Sequence, residues 1–275
     1  MPGLEKKLLF RLLPLLVAML PVVAASADSS STTPVVAIII DDLGNRLSWD
    51  RRALALPGPV ALSFLPHTPH AKSLAGKAHA GGKEIMLHLP MESETGQKLG
   101  PGGLTLHMTE QQLRQTTRKA LESVPHVSGI NNHMGSLMTR HPGAMSWLMD
   151  VVKERGGLFF VDSRTSDRTV AGRMAREKQL PTARRDVFLD NIRKQSAIRK
   201  EFRRLLRLAR KRGYAVGIGH PYPETMQVLK QELSRLSASG IRLIPVSRMV
   251  QMQKGGNQWR APLSHSPRVV KNSKR

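Results

Sequence analysis

The run Val35-Val36-Ala37-Ile38-Ile39-Ile40-Asp41-Asp42-Leu43-Gly44 is six aliphatic residues that end on two carboxylates and a turn-forming glycine. So short and continuous an apolar run predicts a strand buried on both faces, the pattern of a parallel sheet covered by helices. The same punctuation recurs down the chain. His88 closes Glu84-Ile85-Met86-Leu87, and His133 follows Gly129-Ile130-Asn131-Asn132. Asp162 closes Leu158-Phe159-Phe160-Val161, Asp190 closes Val187-Phe188-Leu189, and His220 closes Ala215-Val216-Gly217-Ile218-Gly219. The carboxyl ends of successive strands are where an α/β barrel gathers its ligands and acid–base groups. Charges scattered over a surface would not keep that register.

Strand and helix signals alternate from Pro34 to about Val250, which predicts βα units. The expected strands are Val35–Ile40, Val60–Phe64, Glu84–Leu87, a short segment at Ile130, Leu158–Val161, Asp186–Leu189, Ala215–Ile218 and Arg242–Val246. Thr109-x-x-Gln112 is a capping-box start for one helix. His141-Pro142 opens another, which Gly156 stops. Ser196 to Arg212 is a strongly basic helix with an apolar stripe of Ile198, Phe202, Leu205, Leu206 and Ala209. Pro223 to Ser239 is the next, ended by Gly240. The Gly-rich stretch Met91 to His107 lacks periodicity and is expected to be an active-site loop.

The chain has 275 residues, 40% hydrophobic, enough to bury a sizeable core, and aromatics are scarce at 4%. It has no Cys, which excludes a disulfide framework, a thiolate metal site and a Cys nucleophile. Near the start, Lys6, Lys7 and Arg11 precede the apolar run Leu12 to Val23, and Ala25-Ser26-Ala27 fits a cleavage site. Residues 1–27 are therefore expected to be a signal peptide, with an uncleaved anchor as the alternative, and 28–33 a polar linker. The barrel is expected over 34–250, and a basic disordered tail over 251–275. This organisation implies a periplasmic or secreted protein with no transmembrane span after signal removal. The formal net charge of +23 points either to anionic envelope polymers or to a basic bias with arginines on solvated faces. A nucleic-acid partner is not expected: export removes the chain from the chromosome, and the basic helix lacks interleaved aromatics.

Among the ionisable groups, Asp41 and Asp42 are adjacent at a strand end, where successive side chains diverge. One can ligate a metal while the other stays free as a base, although helix capping is an alternative role. His88 and His133 are each either satisfied polar residues or ligands. With Asp42 they make two imidazoles and one carboxylate, a normal set for catalytic Zn²⁺ with an open position. His220, after two small residues, has an imidazole suited to proton donation near neutral pH.

These segments together resemble the divergent polysaccharide deacetylase family, a branch of the polysaccharide deacetylase superfamily. The matching pieces are Ile-Asp-Asp-Leu-Gly at 40–44, His-Leu-Pro-Met-Glu at 88–92, Asn-Asn-His-Met-Gly-Ser at 131–136, Val-Asp-Ser-Arg-Thr at 161–165, Asp-Val-Phe-Leu-Asp-Asn at 186–191 and Ile-Gly-His-Pro at 218–221. The resemblance implies a deformed (β/α) barrel of about seven strands. It also implies Asp41 as catalytic base and Asp42 as metal ligand. Gly82 to His88 resembles the superfamily's metal-binding segment, which places His88 as a ligand. That segment carries a second His four residues on, where this chain has Glu92. Either Glu92 or His133 replaces it, and His133 is favoured because neutral imidazole suits Zn²⁺. The superfamily's Arg-x-Pro-Tyr-type segment is missing, and Asn131–Ser136 falls in its place. Ile218-Gly219-His220 resembles the motif that supplies the acid.

The activity implied is hydrolysis of N-acetyl (or O-acetyl) groups on a polysaccharide or peptidoglycan-like glycan by a divalent metal, Zn²⁺ by expectation. A backbone N–H near Met134 or Gly135 would support the oxyanion. Glu92, Asn132, Asp162 and Asp190 are expected to touch substrate or to support the first ring of groups; Asp162 and Asp190 either orient His220, hold sugar hydroxyls or make structural hydrogen bonds. The alternative is a non-catalytic glycan-binding protein on the same barrel, motivated by Glu92 and the missing Arg segment.

Overall fold

In the computed structural model, residues 33–256 are described. The first strand, β1 (Val35–Leu43), is buried along almost its whole length. Strands β2 (Ala61–Phe64), β3 (Glu84–Met91), β4 (Val127–Met134) and β5 (Phe159–Asp162) follow on one side of it, and β8 (Tyr214–Gly219) lies on the other. All pairings are parallel. Parallel neighbours need a crossover, and helices provide it: α1 (Leu47–Leu54), α2 (Ala71–Ala80), α3 (Glu110–Ser123), α4 (Pro142–Arg155), α5 (Ala171–Glu177), α6 (Gln195–Arg212) and α7 (Pro223–Ser234).

The two edges of the curled sheet are β6 (Thr182–Arg184) on β5 and β7 (Val187–Phe188) on β8. Only Arg185 and Asp186 separate them, and no helix intervenes. The Arg185 amide donates to Asp162 O on one edge at 2.9 Å, and the next amide, Asp186, donates to Val216 O on the other at 2.9 Å. The two short strands thus act as one bent stave across the seam. With it the barrel has the expected deformed, roughly seven-strand form. The expected strand Asp186–Leu189 covers only the second half of that stave.

Strand parity divides the core. Val36, Ile38 and Ile40 face the helices, while Val35, Ala37 and Ile39 face inward with Ala61, Met86, Phe159, Val161, Val216 and Ile218. Beneath them α8 (Val246–Gly256) plugs the barrel with Val246, Met249 and Val250. The expected strand Arg242–Val246 is corrected here. β9 (Arg242–Leu243) pairs with the first two residues of β1, Pro245 has no N–H to extend the ladder, and Val246 begins α8. That helix runs to Gly256, past the expected boundary at 250. The signal peptide, nearly all of the linker and the remainder of the tail lie outside the described residues. The capping box at Thr109 and Gln112 forms in both directions, and His141 accepts from Ala144 N at the start of α4. The expected helix Pro223–Ser239 ends at Ser234 and is followed by a single 3₁₀ turn, Ser237–Ser239.

Glu84, at the foot of β3, fixes the plug: its carboxylate accepts from Val246 N at 2.7 Å and Ser247 N at 3.1 Å. Glu84→Ala leaves both donors without that cap, so stability should fall by about 1–2 kcal/mol. Thermal denaturation should show a melting temperature lower by roughly 2–8 °C; an unchanged value would contradict this role.

Candidate metal centre and its acid–base groups

The inward faces of the strands turn polar at their carboxyl ends. After Ile39 the next inward residue of β1 is Asp41, after Met86 on β3 it is His88, and after Ala61 on β2 it is Ser63. On β4 the inward pair is Asn131 and His133. Asp42 breaks the alternation. It has φ 62°, a left-handed conformation that Asp tolerates better than most residues. The β1–β2 register slips between Ile40 and Leu43 at the same place. The turn is held by Asp50 on α1, whose Oδ2 accepts from Gly44 N at 2.9 Å and Arg46 N at 3.2 Å. Both carboxylates therefore reach the mouth, Asp41 at 2% exposure and Asp42 with its side chain 31% exposed.

Asn131 sits at the centre. Its Nδ2 donates to both carboxylate oxygens of Asp41, at 2.8 and 3.0 Å. A carboxylate only accepts, so the amide orientation is settled. Its Oδ1 accepts from Ser63 Oγ at 2.7 Å and faces His88 Nδ1 at 3.0 Å. His88 must carry its ring proton on Nδ1, which leaves Nε2 bare in the neutral ring. That Nε2 lies 3.2 Å from Asp42 Oδ1 and 3.1 Å from His133 Nδ1, and His133 Nδ1 is 2.9 Å from Asp42 Oδ1. Three donor atoms from three strands converge, and Asp42 Oδ1 is buried without a hydrogen-bond partner. The spacing and the donor set fit a divalent cation at bonds of about 2.0–2.2 Å.

The electrostatics agree with a site built for positive charge. Burial opposes ionisation of Asp42, but the close imidazoles of His133 and His88, which favour its negative charge, outweigh it and hold the carboxyl well below the usual range. Burial disfavours the His88 cation, yet Asp41 and Asp42 together push its pKa up. Asp41 moves the other way from Asp42: burial raises its pKa, only partly offset by His88, His220 and the Asn131 amide.

His220 follows β8. Its Nδ1 donates to Asp190 Oδ1 at 2.9 Å, and its backbone N donates to Asp190 Oδ2 at 2.6 Å, an oxygen that also accepts from Thr225 Oγ1 at 2.8 Å. Burial disfavours the imidazolium, but the hydrogen bond and charge of Asp190 outweigh it and push the pKa up to about 9. The ring is thus protonated at neutral pH. Its Nε2 lies 3.8 Å from Asp42 Oδ2. A cavity of about 380 Å³ joins Asp41, His88, His133, Met134, Arg185 and His220. A larger one, about 550 Å³ along Arg164, Arg176, Arg184 and Arg212, holds none of the three converging residues, so size alone does not mark the chemistry.

Of the other expected site residues, Asp190 is beside His220, whereas Asp162 is not. Asp162 accepts from Arg164 N and Thr169 Oγ1 and braces its own loop. Asn132 faces away from Asn131; it accepts from Ser163 N and donates to Met134 O, tying β4 to the β5 loop. Glu92 is outside the cluster and accepts from Leu106 N at 2.7 Å. The Gly-rich loop is pinned with it, through Glu92 N to Leu104 O and Leu104 N to Pro90 O. It lines neither cavity at the mouth, because those backbone bonds lay it against the end of β3. Sequence reasoning missed Asn131, Ser63, Ser163 and Arg185. Counting back two from His133 along β4 would have found Asn131.

A profile of the divergent polysaccharide deacetylase family matches residues 38–250. The chain belongs to that family. It is 38% identical over 219 residues to the uncharacterized protein YibQ of Escherichia coli, covering 78% of this chain and 68% of that one. An uncharacterized protein of Haemophilus influenzae is 35% identical over 225 residues, 82% of this chain and 76% of that one. The fold is similar to that of the uncharacterized protein ATU2773 from Agrobacterium tumefaciens, at TM-score 0.76 and 24% identity over 80% of this chain and 91% of that one. It is also similar to the catalytic domain of a peptidoglycan N-acetylglucosamine deacetylase from Eubacterium rectale, at TM-score 0.50 and 13% identity over 77% and 88%.

The Asp190–His220 pair makes a titration prediction. A raised histidine pKa stabilises the fold fully below its ordinary value of 6.5, and that stabilisation is lost as pH rises through about 9. In metal-free protein, NMR should show His220 titrating near 9, and Asp190→Asn should lower it by about 2 units. A wild-type value at or below 6.5 would contradict the pair.

Proposed function

We propose that this member of the deacetylase family is an active, exported, metal-dependent hydrolase that removes acetyl groups from an N-acetylated (or O-acetylated) sugar of an envelope glycan. One observation carries the reading: the donor atoms of Asp42, His88 and His133 converge within 3.2 Å of one another beside a buried carboxylate, Asp41, and an imidazole, His220, whose Nδ1 is held by Asp190. The apolar leader at 12–23, after Lys6, Lys7 and Arg11, supports export. Among the described residues no helix is long and apolar enough to cross a membrane. The deacetylase from Eubacterium rectale, on a similar fold, supports a glycan substrate.

Zn²⁺ suits two imidazoles and a carboxylate, and when bound it supplies Lewis-acid polarisation of the acyl carbonyl and acidification of water. Asp41 accepts the proton of the attacking water, its carboxylate aimed by the Asn131 amide. Its raised pKa improves it as a base near neutral pH. As the new C–O bond forms and the C–N bond breaks, His220 delivers its Nε2 proton to the leaving nitrogen. Asp190 holds the ring in the tautomer this requires, with Nδ1–H pointing inward. The products are acetate and a free amine. With an O-acetyl ester the proton goes to the alcohol oxygen instead.

Acetate release from chitooligosaccharides and peptidoglycan fragments tests this directly. Asp41→Asn and His220→Ala should each lower kcat by about 10²–10⁴ while bound metal stays equimolar. Wild-type release no faster than Asp41→Asn on any glycan would overturn the hydrolase. Saturable glycan binding in that case would establish the non-catalytic reading instead.

A further inference from the structure

At the edge of the mouth, next to Asp42 and His133, a second cavity of about 220 Å³ is lined by Arg46, Trp49, Arg193 and Tyr222. Trp49 and Tyr222 meet edge to face, with ring centroids 6.0 Å apart. Each carries a guanidinium. Arg46 lies over Trp49 at 4.4 Å, and Arg193 over Tyr222 at 3.6 Å, where it also donates to the phenol oxygen at 2.7 Å. Stacking itself fixes a cation's direction without consuming in-plane N–H donors, and the bond to the phenol takes only one of Arg193's five.

Three features separate this pair from ordinary surface arginines. Among the described residues neither guanidinium pairs with a carboxylate, a freedom that other surface arginines such as Arg203 and Arg207 share, but here both free cations line one cavity and each is held on an aromatic ring. Arg185, on another wall of the mouth, spends its donors on Ser163 O and Arg164 O. The rings of Trp49 and Tyr222, moreover, each have a face covered by an arginine, so a ligand there meets forked N–H donors; the two carboxylates that also line the cavity are engaged elsewhere, Asp42 with His88 and His133 and Asp50 with the amides of Gly44 and Arg46. Such a surface matches a carboxylate or phosphate rather than a neutral pyranose face. The position is informative too. Tyr222 lies against His220, centroids 5.4 Å apart, and His220 serves the leaving nitrogen.

We infer that Arg46 and Arg193 form an anion subsite that selects a glycan bearing a carboxylate or phosphate on the sugar side of the scissile acyl bond. The identification of that side rests on the hydrolase reading; the anion selectivity does not. Trp49 and Tyr222 are positioning residues that hold the two cations in place. The net charge of +23 adds long-range attraction for the same class of ligand.

Calorimetry on the full purified chain tests this with three probes: chitotetraose, chitotetraose carrying 6-phosphate, and a hyaluronan tetrasaccharide, whose uronates supply carboxylates. At least one anionic probe should bind about tenfold tighter than chitotetraose, and that advantage should shrink with added salt. Arg46→Gln and Arg193→Gln should each reduce the anionic-over-neutral ratio by about fivefold to tenfold. Arg193→Lys should recover only part, because it lacks the planar fork. Gain by the phosphate probe alone, or by the uronate probe alone, assigns the group. A ratio near one in wild type, or a ratio untouched in the double Gln variant, overturns the subsite. Acetate is read in the same samples. Retained selectivity without acetate sinks the hydrolase and keeps the subsite, while acetate without selectivity does the reverse.

Discussion

One buried amide sets the chemistry of this protein. Asn131 turns its amide nitrogen toward both oxygens of Asp41, with Ser163 Oγ as a further acceptor, and keeps its oxygen for Ser63 and His88. A carboxylate at 2.8 Å cannot face an amide oxygen without strong repulsion, so the side chain has one tolerable orientation. That orientation dictates which nitrogen of His88 holds the proton, and hence that the other points at Asp42 and His133 with a lone pair. The base and the ligand set are therefore coupled through four atoms of one side chain. Second partners of this kind commonly decide the affinity and orientation of a metal ligand. The same donors aim Asp41 into the cavity while its burial raises its pKa.

The second constraint is backbone. Two adjacent residues on a regular strand cannot both face a barrel interior. The left-handed turn at Asp42 removes that restriction, at a cost of order 1 kcal/mol, and Asp50 stabilises the turn from α1. Asp41 keeps the strand's inward direction, and Asp42 is swung over the mouth. The sequence pair Asp-Asp thus yields two environments: one carboxyl with a raised pKa and one held far below the ordinary range. Divergent environments for neighbouring carboxyls are the usual basis for dividing base and ligand roles.

Much of this was legible in the chain itself. Continuous aliphatic runs closing on Asp or His located most of the staves and their functional ends, because burial on both faces leaves no other composition for a parallel strand. The ligand set Asp42, His88 and His133 was suggested by their shared place at strand ends and implied by the family resemblance, and the structure joins them and leaves Glu92 outside. The seam was not legible. Thr182–Arg184 and Val187–Phe188 are too short to give a period, and their role depends on partners on opposite edges. Asn131 was passed over for Asn132 because two adjacent amides look alike until strand parity is fixed. Asp162 looked equivalent to Asp190, yet its side chain faces its own loop, a distinction set by tertiary packing. The stacked arginines come from segments more than 140 positions apart, and no local pattern announces them.

Asp42, His88 and His133 are placed to share one cation. Crystals of the zinc-loaded protein, measured on both sides of the zinc absorption edge, test it most directly. A single anomalous peak should appear within about 2.0–2.2 Å of Asp42 Oδ1, His88 Nε2 and His133 Nδ1, with His88 Nδ1 still against Asn131. A peak elsewhere on the chain, or none at these three atoms in fully loaded crystals, would contradict it.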